Sequence, residues 1–215
     1  MKGCNAAMGN RNNHNEKQMR IRIAQAAARI LVESGGQDFG TAKRKAALHL
    51  GAEDTRNMPS NTEIEQALIE YQRIFRADVQ PLFLKKLREE AVRAMRFFEP
   101  YRPRLVGPVL QGSADEHTPI TLHLFAQTSE EVGLFLMDYQ IPHTLHDKRL
   151  RLGNDLYQDY SSYHFIAGEV HVEAIIFPAK KTTSPLSPVD GRPMRRADIK
   201  EVQQLLAEIQ LPNVG

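Results

Sequence analysis

The hydrophobic spacing changes from a helical period to a strand period near residue 100, and this change limits what the chain can fold into. Before it, apolar residues recur three and four positions apart, which places them on one face of a helix. Four segments have this spacing: residues 16–34, 41–50, 60–75 and 81–98. Pro100 and Pro103 end the pattern, because proline has no backbone N–H and restricts the residue before it. The chain is therefore predicted to begin with four helices.

Short strand-like runs dominate the part of the chain after Pro103. Apolar and β-branched residues predict strands over residues 104–110, 120–126, 143–152, 163–167 and 170–177. Gly168 and Glu169 separate the last two runs, as the two-residue turn of a hairpin does. Helical spacing predicts further helices over residues 128–139 and 198–209. We therefore predict an α+β fold, in which an N-terminal helical region precedes a β-sheet with flanking helices.

The same change of period predicts the domain organisation. Residues 1–15 are polar and rich in Asn without any periodicity, so we expect a flexible tail. Residues 16–99 are expected to form the helical region, and residues 100–215 the α/β core with its C-terminal loop and helix. A chain of 215 residues is long enough to bury a hydrophobic core in one domain with an appendage, or in two small ones.

Helix starts and buried positions are also predicted. Ser60 with Glu63, and Thr128 with Glu131, have the spacing of a capping box, in which a hydroxyl and a carboxylate bond reciprocally to free backbone N–H groups. The apolar stripes of the four N-terminal helices predict buried side chains. We expect these to include Ile30, Leu68, Leu87 and Met95.

A glycine-serine step and two of the predicted strands carry most of the functional information. Gly112 and Ser113 follow the run 104–110, and Thr121 and His123 lie about ten residues later on the next run. Residues two apart on a strand point to the same face, so Thr121 and His123 should share a face. Glu173 lies on the last predicted strand.

This order of elements, over residues 104–178, resembles the signature of the nucleotidyltransferase superfamily, the DNA-polymerase-beta-like fold. The resemblance implies a mixed sheet in which Gly112 and Ser113 bind nucleotide phosphates. It also implies that the family's three acidic metal ligands would stand at Thr121, His123 and Glu173. Such acids hold two Mg²⁺ or Mn²⁺ ions, which activate the attacking hydroxyl and stabilise the leaving oxygen. Here threonine and histidine replace the acidic pair, and both are poor ligands for Mg²⁺.

The resemblance therefore implies a degenerate nucleotidyltransferase-like protein that binds a nucleotide or RNA. A first alternative is an active nucleotidyltransferase with an altered metal site, in which His123 and Glu173 hold the metal ion and act in catalysis. A second alternative is a protein-interaction module whose core has no catalytic role and whose partner is another protein.

Three arginines follow a Pro- and Ser-rich loop at residues 180–193. Arg192, Arg195 and Arg196 are close enough in sequence to clamp a phosphate, since guanidinium groups bind phosphate oxygens in a bidentate way. The loop has an alternative role, which is to strap the last helix to the sheet. Both interpretations stay open at this point.

Charge and composition place few limits on the partner. Residues 1–100 hold 17 Lys+Arg against 12 Asp+Glu. That excess permits an anionic partner such as RNA, although ordinary solvated helix faces explain it as well. Cys4 is the single cysteine, so no internal disulfide can form. No apolar run approaches the roughly 20 residues of a membrane helix, and the start lacks the apolar stretch of a signal peptide. We expect a cytoplasmic protein with no membrane contact.

Over its whole length the chain is also similar to a group of proteobacterial proteins, some of which carry the label UDP-N-acetylmuramate–alanine ligase. Ligases of that kind need a glycine-rich ATP loop that ends in Gly-Lys-Thr or Gly-Lys-Ser. No Gly-Lys pair occurs in this sequence, so the sequence does not support that activity.

Overall fold

The structure is a computed structural model that describes residues 5–34, 38–52, 58–76, 79–181 and 183–209. The chain divides into two compact units, Met1–Arg76 and Ala77–Gly215. The predicted α+β fold is confirmed, because an N-terminal helical region precedes a part of the chain that combines a five-stranded mixed sheet with helices. None of the helices in the described ranges is long and apolar enough to cross a membrane.

The described residues of the first unit form three helices, α1 (Asn5–Ser34), α2 (Phe39–His49) and α3 (Asn61–Phe75). Their core is small and rich in alanine: Ile23, Ala24, Ala27, Leu31, Ala42, Ala46, Ala47 and Ile64. The capping box of Ser60 and Glu63 is present at the start of α3. Ile30 and Leu68, which we expected to be buried, pack against this core but are only partly buried.

The N-terminal tail differs from the prediction. Residues 5–15 belong to α1 instead of forming an irregular segment, while residues 1–4 lie outside the described part of the chain. The polar composition gave no helical period there, but a helix that has already begun adds one backbone hydrogen bond for each further residue. Polar residues can therefore extend α1 without an apolar stripe.

The described residues of the second unit form four α-helices, a short 3-10 helix at Glu99–Tyr101 and five strands. The helices are α4 (Gln80–Phe97), α5 (Gly107–Gln111), α6 (Ser129–Asp138) and α7 (Ile199–Ala207). The strands are β1 (Arg104–Val106), β2 (Ile120–Ala126), β3 (His143–Arg151), β4 (Tyr157–Ala167) and β5 (Val170–Pro178). The strand order is β1-β2-β5-β4-β3. The β2–β5 pair is parallel, and the other three pairs are antiparallel.

Helix α4 belongs to the same core as the sheet. Leu87 and Met95 are buried as predicted, and they share one hydrophobic cluster with the strand residues Leu122 and Ala174. The structural division therefore falls after Arg76, whereas the sequence indicated a boundary at residues 99–104. A change of period marks a change of secondary structure, but it does not show which elements bury their apolar faces together.

The strand predicted over residues 104–110 is shorter than expected. β1 ends at Val106, and α5 begins at Gly107. Gly107 has a positive φ of 72°, and Pro108 lies in the first turn of the helix. Proline is favoured there because its missing N–H would have no partner within the helix. The glycine-serine step therefore follows a short helix and not a strand.

Candidate functional site

One face of the sheet in the second unit is covered by helices of that unit, and no helix among the unit's described residues packs against the small apolar cluster on the other face. On β2, Ile120, Leu122 and Leu124 point into the core that α4, α5, α6 and α7 share. Alternation on a strand sends the intervening side chains to the opposite face. We call that opposite face the open face. Its small apolar cluster consists of strand residues alone: Tyr160, Ile175 and Phe177, with Phe125 and Leu150 packed against them.

Glu173 lies near the middle of the open face. It is opposite Thr121 in the β2–β5 register, and only 7% of its surface is exposed. Lys148 Nζ lies 2.8 Å from Glu173 Oε1. Hydroxyls from the neighbouring strands donate to the same carboxylate, at 3.5 Å from Thr121 Oγ1 and 3.4 Å from Ser162 Oγ. The carboxylate is therefore neutralised by a lysine and held by two hydroxyl groups.

Ser162, His164 and Glu173 come together, but not as a nucleophilic triad. In a triad, the serine and the carboxylate form hydrogen bonds to different nitrogens of the histidine ring. Here Ser162 Oγ lies 3.3 Å from His164 Nε2, and Glu173 Oε1 lies 3.7 Å from the same nitrogen. Ser162 is also only 1% exposed. The arrangement cannot activate the serine toward a substrate.

Burial and several neighbouring groups shift the pKa of the His164 ring. Burial lowers its pKa, and the nearby Glu173 carboxylate opposes that effect. His146, whose ring centroid lies 4.7 Å from that of His164, adds to the lowering, as do Lys148 and His171. Cationic and imidazole groups thus lie around the Glu173 carboxylate.

His123 lies on the open face beside β1 and is fully buried. Its Nδ1 accepts a hydrogen bond from Arg196 Nε at 3.0 Å, so the ring proton resides on Nε2. Burial, and secondarily the positive charge of Arg196, lower the pKa of His123 to about 3. Among the described residues, Nε2 has no hydrogen-bond partner. The ring is therefore a neutral, buried acceptor for the arginine.

Three cations lie over aromatic rings at the end of the open face formed by the ends of β2 and β5. The Arg196 guanidinium is 5.1 Å from the Phe125 centroid and 5.0 Å from that of Phe177. Arg102 lies 5.7 Å from the Phe125 centroid. Lys181 Nζ lies 4.9 Å from the Tyr160 ring and bonds to its hydroxyl. Such contacts orient each cation over its ring.

The predicted metal ligands already have cationic neighbours. Glu173 contacts the Lys148 ammonium, and His123 Nδ1 faces the Arg196 guanidinium. Each cation occupies a lone-pair direction that a metal ion would use. No group of three or more His, Cys, Asp or Glu side chains suited to a metal ion occurs within the described residues. Side-chain cations therefore provide the positive charge next to Glu173 and His123.

The glycine-serine step lies on the helical side of the sheet. Gly112 caps the C-terminus of α5, and its neighbours Leu110 and Ala114 belong to the helix-covered core. Its carbonyl accepts a hydrogen bond from Gln80 Nε2 at 3.0 Å. Ser113 is buried in the same segment, between Gly112 and the core residue Ala114. The structure thus separates Gly112 and Ser113 from the open face, although the sequence predicted one common site.

Gly112→Ala should lower the free energy of unfolding by about 1–2 kcal/mol, because an L-residue is strained in the left-handed region. The φ of Gly112 is +91°, and an added Cβ would meet only Arg88 Nη2 at 3.7 Å and Leu84 at 3.9 Å, so the cost is conformational and not steric. Urea unfolding measures the change. Gly153→Ala is the control, since its Cβ would meet Leu156 at 3.8 Å without such a φ. Equal stabilities would contradict the requirement for glycine.

The structure does not bring the three predicted arginines to one point. Arg196 lies on the open face. Arg195 is exposed, and its positive charge helps to lower the pKa of Arg88. The Arg88 guanidinium is buried on the helical side and donates to the Val109 and Leu110 carbonyls. Arg192 is exposed in a turn closed by Asp190.

Sequence reasoning missed several residues of the open face. Arg102, Arg104, Lys148 and Lys181 belong to no motif, and their proximity depends on strand pairing. Arg104 lies opposite His123 in the β1–β2 register, and Lys148 lies opposite Tyr160 in the β3–β4 register. The alternation of polar residues along β3 was the one available signal, but it does not specify the neighbouring strands.

Neither protein-family models, curated proteins nor solved structures give a match to this chain.

Proposed function

We propose that this chain is a nucleotidyltransferase-like protein that binds the phosphates of a nucleotide or of RNA on its open face, without transferring nucleotidyl groups. One observation carries the proposal, which is the segregation of charge between the two faces of the sheet. Among the described residues at the open face, five are permanent cations and one is a carboxylate: Arg102, Arg104, Lys148, Lys181 and Arg196, with Glu173.

Strand alternation produces this segregation. On β3, Lys148 points to the open face, so Asp147 and Arg149 on either side of it point to the opposite face. Asp159, which lies opposite Arg149 in the β3–β4 register, points to that face as well. Asp147 on β3 and Asp159 on β4 are thereby kept away from the open face, so its cations outnumber its carboxylate and its potential is positive. A positive surface raises the local concentration of phosphate-bearing ligands.

Aromatic and hydroxyl groups at the same face suit a nucleotide. Phe125 is partly exposed, and the guanidinium groups of Arg102 and Arg196 lie near its ring. Aromatic rings and guanidinium planes both stack on bases. Thr121 and Ser162 contribute hydroxyl groups near Glu173. The combination of cations, a partly exposed ring and hydroxyl groups supports a nucleotide more than a simple anion.

The absence of transfer is proposed from the ligands at the metal positions. Transfer develops charge on the phosphoryl oxygens, which metal ions normally neutralise. Thr121 and His123 hold Mg²⁺ poorly. The Lys148 and Arg196 cations next to Glu173 and His123 would also repel a metal ion. Binding is less demanding, because side-chain cations alone can hold a phosphate.

The binding experiment compares two double variants with equal changes in charge. Fluorescence anisotropy with a labelled single-stranded RNA in low salt measures the affinity of the full chain. Arg104→Gln/Lys181→Gln removes two cations of the open face and should weaken binding by about tenfold. Arg149→Gln/Lys180→Gln removes two cations elsewhere and should leave the affinity near that of the unmodified chain. Equal effects of the two variants would show that only net charge matters and would contradict a site on the open face.

Incubation with labelled nucleoside triphosphates, Mg²⁺ or Mn²⁺, and RNA or protein acceptors tests for transfer. We expect no incorporation. Metal-dependent incorporation that Glu173→Gln abolishes would replace the proposal with an active enzyme whose altered metal site uses Glu173. If neither incorporation nor binding of nucleotide or RNA occurs, a protein-interaction module becomes the better explanation.

A further inference from the structure

We infer that the ligand of the open face is a single-stranded oligonucleotide, whose phosphates follow a row of cations across the β-strands. This inference rests on the proposed function and specifies its ligand class. A mononucleotide and a duplex are the competing ligands.

The row is defined by the strand register. Phe125 on β2 lies opposite Phe177 on β5. The Phe177 ring lies 4.5 Å from that of Tyr160 on β4, and Tyr160 lies opposite Lys148 on β3. These four residues therefore occupy one line across four adjacent strands. Since neighbouring strands are about 4.8 Å apart, the line from β2 to β3 is about 14 Å long.

Cations lie along this line and do not converge on one point. Arg102 and Arg196 lie over Phe125, and Arg196 also reaches Phe177. Lys181 lies over the Tyr160 ring, and Lys148 on β3 marks the end of the line across the sheet. A single phosphate group would contact only the nearest of these cations, whereas successive phosphates of a strand can contact them in turn. The spacing therefore favours a chain of phosphates over one nucleotide.

The ring exposed within the row favours a single strand. Tyr160 and Phe177 are buried, at 4% and 0% exposure, but Phe125 is partly exposed. In a duplex the base faces are stacked on one another and cannot reach Phe125. In a single strand, unstacked bases can stack on an aromatic ring or on a guanidinium plane.

The number of cations sets the expected salt dependence. Lys148 already contacts Glu173, which leaves four cations to contact phosphates: Arg102, Arg104, Lys181 and Arg196. Each phosphate neutralised on a single strand contributes about −0.7 to the slope of log affinity against log salt concentration, which predicts a slope of about −3. Arg102→Gln or Lys181→Gln should each make the slope less steep by about 0.7. Lys180→Gln, at the exposed neighbouring position, is the control and should leave it unchanged.

The experiment measures the affinity of the full chain for AMP, for oligoadenylates of increasing length and for a short RNA duplex, in a series of KCl concentrations. We expect affinity to rise at least about tenfold between AMP and a tetranucleotide and then to level off, with weaker binding of the duplex. AMP that binds as tightly as the longer oligonucleotides, or a duplex that binds more tightly, would overturn the oligonucleotide inference but keep the proposed function. No binding by any of these ligands would overturn both.

Discussion

Leu87→Ala is expected to lower the free energy of unfolding of the second unit by about 2–5 kcal/mol, as truncation of a buried leucine does. Leu87 lies on α4 and is 4% exposed. It belongs to the core that α4 shares with the sheet. The loss combines the transfer free energy of the removed methyl groups with the cavity that they leave. Urea unfolding, followed by circular dichroism, measures it.

The same helix provides a matched control. Leu82 is 46% exposed, so Leu82→Ala should change the free energy of unfolding by less than about 0.5 kcal/mol. Both changes remove the same atoms from α4, so helix propensity contributes equally. A loss below about 0.5 kcal/mol for Leu87→Ala would mean that Leu87 is not in the core and that α4 presents another face to the sheet.

Acid is expected to destabilise the unmodified chain through His123. The pKa of this ring is about 3 in the folded protein and about 6.5 in the unfolded chain. Between these values the unfolded chain binds a proton that the folded protein does not, so stability falls as the pH falls. The contribution is fully present above pH 6.5 and is lost progressively toward pH 3. At pH 4.5 the loss is about 2–3 kcal/mol, since each pKa unit corresponds to about 1.4 kcal/mol.

The variant His123→Gln isolates this effect, because glutamine can still accept the Arg196 hydrogen bond but does not titrate. Urea unfolding at several pH values between 7.5 and 4.5 gives the stability of both proteins. We expect the unmodified chain to lose about 2–3 kcal/mol more than the variant over this range. Parallel curves for the two proteins would show that His123 titrates alike in both states, and would contradict its burial as a neutral ring.

The sequence predicted most of the elements of the second unit because their signals are local. The strand Ile120–Ala126 has the expected bounds, and the hairpin turn at Gly168 and Glu169 separates β4 from β5. The buried face of α4 was also predicted correctly. Propensity and periodicity depend on neighbours within a few positions, so they can be evaluated without knowledge of the rest of the chain.

The candidate site was only partly predictable. Thr121, His123 and Glu173 were expected on one face, and the β2–β5 register together with strand alternation places them there. Gly112 and Ser113 were expected beside them but lie on the helical side of the sheet. The shortening of β1 and the formation of α5 account for this difference. The change from strand to helix at Val106 and Gly107 alters the direction of the chain at Gly112 and Ser113. No short sequence motif predicts such a change.

The sequence by itself determined the α+β fold, the approximate positions of the helices and strands, and the residues that alternate along each strand. Tertiary structure alone decided that Lys148 lies beside Glu173 and Arg196 beside His123, and that cations from several elements share one face. The physical reason is that these contacts join residues up to 73 positions apart in the chain. Strand pairing and register bring them together, and both are set by how all the apolar faces are buried at once.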